Sequence, residues 1–249
     1  MAMLTGPGFL SPIDLYTSDT TNPGPYNIGE YRVGSNGKGF RYSLAGASAL
    51  VKGNILQEAV EDTTYENMVI GTAGAVGDSF LQVTNGTATI TSAQFEGGSI
   101  GVYTAGTVAV GDEYTIMGVT GTLTTGGALK VWLDRPLRYA YTTSATVNMK
   151  RSPWSGVIQA PITTQTGMAV GVAIYEIAAS SYGWVQTHGI CTVLSSNQTA
   201  AVGSDIGTPC LDAAGAASVF IAGTTHQRIG VIRQAKASGK GICMFLQID

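Results

Sequence analysis

The chain has 249 residues and a formal net charge of −3, and only 12% of its residues are charged, against roughly 25% in an ordinary soluble protein. No basic run exceeds the pair Lys150-Arg151, so the clustered cations of counterion-release binding are missing and nucleic acid is not expected as a partner. No stretch approaches the ~18–20 apolar residues of a membrane span, and MAMLTGPGFLSPIDL lacks the basic start and continuous apolar run of a signal peptide, so folding in a cytoplasm without a membrane is expected.

Gly, Thr, Ser and Ala fill the place of the missing charge. A surface so poor in charge is weakly protected from association. It fits a lightly charged, Thr-coated β protein, or one whose surface is covered by partners; the second reading is favoured. The three cysteines, Cys191, Cys210 and Cys243, are an odd number at wide spacing. They read as free thiols in a reducing compartment, not a disulfide framework.

Residues 1–30 hold four of the eight prolines, Pro7, Pro12, Pro23 and Pro25. Each fixes φ and removes a backbone donor, which excludes a helix or a central strand. Yet Phe9, Leu10, Ile13, Leu15 and Tyr16 are apolar, which a solvated tail does not need. An extended arm that lays these five side chains on another subunit fits both facts; a disordered leader is the alternative.

From Glu30 the pattern is β. EYRVGSNGKGFRYSL alternates around Asn36-Gly37, and FLQVTNGTATIT repeats the device at Asn85-Gly86; both predict hairpin turns. GVYTAG, DEYTIMGV, LKVWL, AVGVAIYEI, RIGVIRQA and ICMFLQI are further short strands bounded by Gly. Helix signals are nearly absent; Ile177–Ser181 and Leu211–Ser218 are candidates for a single turn. Many short strands at this spacing predict a barrel or sandwich. ASALVKGN, AGTVAVGD and QTAAVGSD each run from an apolar strand end into Gly and a polar residue, an echo that predicts strands entering tight turns. The stretch 142–167 reads as a connection between modules, with Trp154 as a packing anchor.

SSYGWVQTHGICTVL sets one of two histidines, His188, three residues before Cys191. A nucleophile pair needs hydrogen-bond contact and a third orienting group, and a zinc site needs about four ligands. The other histidine is His226, and no CxxC or HxxxH spacing occurs. Trp184, Gln186, His188 and Ile190 fall on one face of a strand, so His188 and Cys191 point apart unless Gly189 bulges it. They are read as parts of a buried barrel strand. GSNGKGF lacks the order of a phosphate loop, and Glu61-Asp62 is read as a solvated turn rather than an acid/base couple. No catalytic residue, cofactor or metal site is expected, and the chain is read as a non-enzyme.

SPWSGVIQAP, MAVGVAIYEIAASSYGWVQTHGICTVL, IGVIRQA, terminal CMFLQID and, near the start, FRYSLAGASALVKGNILQ together resemble tailed-bacteriophage capsid decoration (cement) proteins and related phage β-barrel head proteins. The resemblance covers about half the chain and carries no catalytic signature. It implies an all-β fold: a small β-barrel with an inserted β module and an extended N-terminal arm. The implied division is an arm at 1–30, a discontinuous barrel at 31–62 and 152–249, and an inserted β domain at 63–151. It implies a homo-oligomer, a trimer before a dimer, that is made in a host bacterial cytoplasm and binds the major capsid protein on the outside of the virion. The alternative is a head-fibre or tail adhesin that binds a host surface glycan. That reading expects a fibrous repeat or an exposed aromatic cluster, and neither is clear in the sequence. A depolymerase-like hydrolase ranks third, for want of paired acids.

Overall fold

The computed structural model describes residues 14–21, 26–34, 37–86, 89–91, 93–104, 111–162, 164–195, 201–208, 214–220, 227–234 and 241–249. It is almost wholly β, with no helix of seven or more residues among them. Two compact units emerge, Met1–Val60 with Pro153–Asp249, and Glu61–Ser152. Compared with the expected insertion at 63–151, the inserted unit also takes in Glu61, Asp62 and Ser152. Local polar contacts explain the first two. Asp62 Oδ1 accepts from Thr64 N at 3.0 Å and caps the 3-10 turn Thr63–Tyr65, and Glu61 pairs with Lys150 at 2.9 Å.

In the discontinuous unit the strands before the insertion are β1 (Tyr31–Val33), β2 (Gly39–Ala45) and β3 (Ile55–Gln57). The inserted unit holds β4 (Met68–Thr72), β5 (Phe80–Thr84), β6 (Ser99–Thr104), β7 (Glu113–Gly121), β8 (Ala128–Leu133) and β9 (Thr146–Lys150). After it come β10 (Ser155–Gln159), β11 (Ala169–Ala173), β12 (Tyr182–Leu194), β13 (Asp205–Thr208), β14 (Ser218–Val219), β15 (Gln227–Gln234) and β16 (Gly241–Gln247).

The discontinuous unit closes a ring of five strands. β2 pairs with β10, β10 with β3, β3 with β11, β11 with β12, and β12 returns to β2. The β2–β10 step is parallel and the others are antiparallel. Ala45, Leu50, Leu56, Val157, Val170, Ala173, Ile177 and Val185 form one core cluster of this unit. β12 is long enough to leave the ring and continue into a second sheet, pairing with β16, then β15, β13 and β14. Beneath that sheet lies a second core with Cys191, Val193, Ile229, Ile232, Ile242, Met244 and Leu246. Both faces of β12 are buried from Gly183 to Thr187, and burial alternates strictly from Gly189 onward. The change coincides with a ladder slip between Gln186 and His188 and with Gly189 at φ +90°, a bulge that bends the strand.

The inserted unit is a closed antiparallel barrel in the order β4-β5-β8-β7-β6-β9. Its strands follow the alternation of their sequences. In ALKVWL, Leu129, Val131 and Leu133 are buried, while Ala128, Lys130 and Trp132 face out. The inward residues of all six strands join Tyr65, Phe95, Leu137 and Tyr141 in one core.

Several local expectations change. The Asn85-Gly86 pair does not turn a hairpin, because β5 pairs with β4 and β8. Asn85 is buried instead, and its amide donates to the carbonyls of Leu123 and Thr124 at 3.0 and 2.9 Å; this holds the β7–β8 turn. The stretch 142–167 holds the connection between the units, as expected, at Ser152–Pro153, but the chain on either side of it is strand, β9 before and β10 after. The echo glycines Gly53, Gly111 and Gly203 have φ of +83°, +93° and +87° and lie in turns two residues ahead of β3, β7 and β13, so Gly recurs where the chain enters a strand and not, as expected, where it leaves one.

Candidate binding surfaces

The candidate chemistry on β12 resolves into packing. His188 is half-buried, its ring edge-on to Phe245 at 5.2 Å, and its Nδ1 lies 3.2 Å from the Asp249 carbonyl oxygen. Cys191 is buried in the second core, and burial pushes its thiol up to about 12. A thiol held protonated at neutral pH is a poor nucleophile. Asp249 also holds Arg41, whose Nε donates to its Oδ2 at 3.0 Å. The Arg41 guanidinium lies over the rings of Trp154 and Tyr31 at 4.4 and 5.2 Å. Trp154 is thus a packing residue beside the first core, as its sequence context suggests. His226 and Cys210 lie outside the described residues.

The arm divides. Phe9, Leu10 and Ile13 lie outside the described residues. Leu15 is half-buried, and with Tyr26 it packs on Phe40, Tyr42 and Trp184 of its own domain. The described segment is not uniformly extended, since Asp14–Tyr16 make a 3-10 turn. Tyr16 remains 55% exposed, with its ring edge-on to Tyr175 at 6.3 Å. Asp19 and Tyr182 exchange two backbone hydrogen bonds of 3.0 and 2.8 Å, and Ser18 Oγ accepts from Ala178 N at 3.1 Å. The physical reason is the aromatic patch itself. Tyr42 and Trp184, 5.1 Å apart, sit on the outer side of the ring, and the cheapest cover for them is the chain segment that precedes β1.

Two outward faces stand out once the strands are placed. On the second sheet, Ile190 lies opposite Phe245, which lies opposite Val231. This row crosses three strands, with Ile190 40% and nearby Leu194 37% exposed. On the inserted barrel, Gly118, Trp132 and Phe80 form a row across β7, β8 and β5. Trp132 is 39% exposed, 5.3 Å from Phe80, and its Nε1 donates to Thr120 Oγ1 at 3.1 Å. Neither row was found from sequence. The available signal was the alternation itself, since LKVWL and ICMFLQI put Trp132 and Phe245 at positions opposite in sense to their buried neighbours.

Two polar clusters of the inserted unit are satisfied by their own partners. Tyr141 donates to Asp112 Oδ2 at 2.9 Å, and the Tyr114 hydroxyl lies 3.2 Å from the same oxygen and accepts from Arg138 N at 3.1 Å. Burial and these partners push the Tyr141 hydroxyl well above its usual range, so it stays protonated and braces the barrel. The hydrogen bond from Lys150 holds Glu61 below the usual carboxylate range. Glu61-Asp62 therefore makes an ion pair and a cap. Among the described residues no group of three or more His, Cys, Asp and Glu could hold a metal ion, and no helix is long and apolar enough to cross a membrane. No known protein family, curated protein or solved structure matches the chain.

Proposed function

We propose that the chain is a structural protein of a phage head, which binds the outside of the assembled capsid and cements neighbouring capsid subunits without chemistry. The observation that carries this reading is the row Ile190–Phe245–Val231 on an outward sheet face, in a protein with 12% charged residues. The resemblance of the strands flanking the insertion to capsid decoration proteins supports the same assignment. An apolar side chain moved from water into an interface contributes about 1.5–3 kcal/mol, and a stable contact buries roughly 1,200–2,000 Å² in total. Repeated over many copies, such contacts resist internal pressure with no catalytic group.

The test is electron microscopy of virions carrying the wild-type chain and of virions carrying Ile190→Glu with Phe245→Glu. Both changes lie on the solvent side of their strands, so the variant is expected to fold. Wild-type density is expected on the shell, with occupancy at least tenfold lower for the variant. Density on tail or fibre, or a shell fully occupied by the variant, overturns the reading.

A further inference from the structure

The geometry of the inserted barrel points to a saccharide site: we propose that one pyranose ring of a neutral glycan stacks on Trp132 in the notch beside it. This inference lies wholly within Glu61–Ser152 and does not rest on shell binding.

The notch comes from the sequence. β7 slips against β8 between Ile116 and Gly118, which sets Met117 outward at 59% exposure and places Gly118 directly opposite Trp132. A Cβ built at Gly118 meets nothing within 4 Å. The outer face therefore has a side-chain-sized gap, bounded by Met117 on its own strand and faced by Trp132 across the pair. The indole is also pre-set. Its hydrogen bond to Thr120 and its contact with Phe80 fix the ring before any ligand arrives, so little rotamer entropy is lost on binding.

The chemistry of the rim selects the ligand. The next cross-strand row is Thr120, Lys130 and Gln82, which offers a hydroxyl, an ammonium and an amide. Lys130 Nζ lies 5.0 Å over the Phe80 ring, so the one cation of these two rows is already held by an aromatic face. The rows contain no carboxylate. A metal cation finds no free carboxylate there, because Asp134, two residues beyond Trp132, is held by Thr115 N and Arg135, and a polyphosphate lacks the cluster it needs. A protein partner would find a lysine and a glutamine beside Trp132, where the centre of a protein interface is depleted of charge. A pyranose fits each feature. Its C–H face is electropositive and meets the negative face of the indole, and its equatorial hydroxyls reach the polar row.

The experiment titrates the full-length protein with free maltohexaose, cellohexaose, chitohexaose and a galactan oligosaccharide. Binding is read by ligand-observed saturation-transfer NMR and by indole fluorescence. At least one probe is expected to bind with Kd at or below about 1 mM. Trp132→Ala is expected to weaken it at least tenfold. Gly118→Val fills the notch with a side chain suited to strands and is expected to weaken it as much while leaving the melting temperature unchanged. Gln82→Ala is expected to weaken it a few-fold. The proposal is overturned if no probe binds at about 10 mM, if Trp132→Ala and Gly118→Val bind like wild type, or if the Trp132 face instead drives self-association that Trp132→Ala abolishes.

Discussion

The two units close their sheets by different means, and the difference shows in their burial patterns. The inserted barrel is antiparallel throughout and has one core, so its strands alternate; β8 runs exposed, buried three times over. The five-stranded ring is covered again on the outside, by the arm over Tyr42 and Trp184 and by the second core next to Val172. Its β11, AVGVA, is buried at every position. A barrel filled from one side needs only a two-residue period. A ring filled from both sides needs small residues wherever backbones approach, and partners supplied from far along the chain.

The comparison breaks first at the junctions. Joining Val60 to Pro153 through a short Gly/Ser linker should leave a folded β protein, and residues 61–152 alone should unfold cooperatively, because each unit holds its own core. Circular dichroism and calorimetry of the two pieces check this. If 61–152 shows no cooperative transition, the inserted barrel depends on its host and the contrast fails.

Next in size, Leu129→Ala empties a fully buried position in the single core of the inserted barrel and should cost about 2–5 kcal/mol. If the units are independent, amide exchange should rise in β4–β9 and stay unchanged in β11 and β12. Uniform loss of protection would show one cooperative molecule instead.

A glycine pair sharpens the contrast further. At Gly171 on β11, a Cβ would lie 2.2 Å from Val185 Cγ1 and 2.7 Å from the Gln186 carbonyl oxygen. Gly171→Ala should therefore cost about 1–3 kcal/mol in chemical denaturation. Gly118→Ala, on the open face of the other unit, should stay within about 0.5 kcal/mol of wild type.

The last effect is alkaline. The Cys191 thiol ionises at its ordinary value of 9.0 when unfolded, and at about 12 when buried. Between those values the native state holds the extra proton, so stability is full below pH 9 and falls as pH rises toward 12. Each unit of separation is worth about 1.4 kcal/mol at most. Denaturation of the wild type from pH 8.5 to 10.5 should show this slope, and Cys191→Ala should show less of it. Equal slopes would assign the alkaline loss to other groups, Tyr42 first, whose hydroxyl burial raises to about 12.

What could be read from sequence follows the same division. The alternation of LKVWL and DEYTIMGV marks a half-buried strand without knowledge of its neighbours. So the strands of the insert were readable, but their ring order was not, because β8 pairs with β5 and β7 rather than in simple succession. Asn85-Gly86 misled because the dipeptide signals a turn only when the strands on either side pair with each other. In the ring, AVGVAIYEI reads as one apolar run, yet its strand stops at Ala173 and Ile177 forms a single bridge to Leu50. The arm shows the limit most plainly. Its prolines and apolar side chains signalled a segment that lies on a surface, but which surface depended on Tyr42 and Trp184 meeting across β2 and β12, a pairing that no local pattern contains. The outward row on the insert required knowing that Gly118 lies opposite Trp132.

The crossing of the chain at Val60 and Pro153 also sets a schedule. β3 pairs with β10 and β11, which leave the ribosome about a hundred residues later. At bacterial-type synthesis rates that is a wait of roughly 5–20 s. During it the first three strands have none of their ring partners, and the inserted barrel, complete in itself, has time to fold. Its first and last strands, β4 and β9, are hydrogen-bonded neighbours through Met68–Val147 and Val69–Thr146. Once folded, the insert holds its exit strand beside its entry strand, so the loop between β3 and β10 is closed over a few residues instead of about a hundred. The insertion that interrupts the ring in sequence therefore shortens the search the ring must make in time.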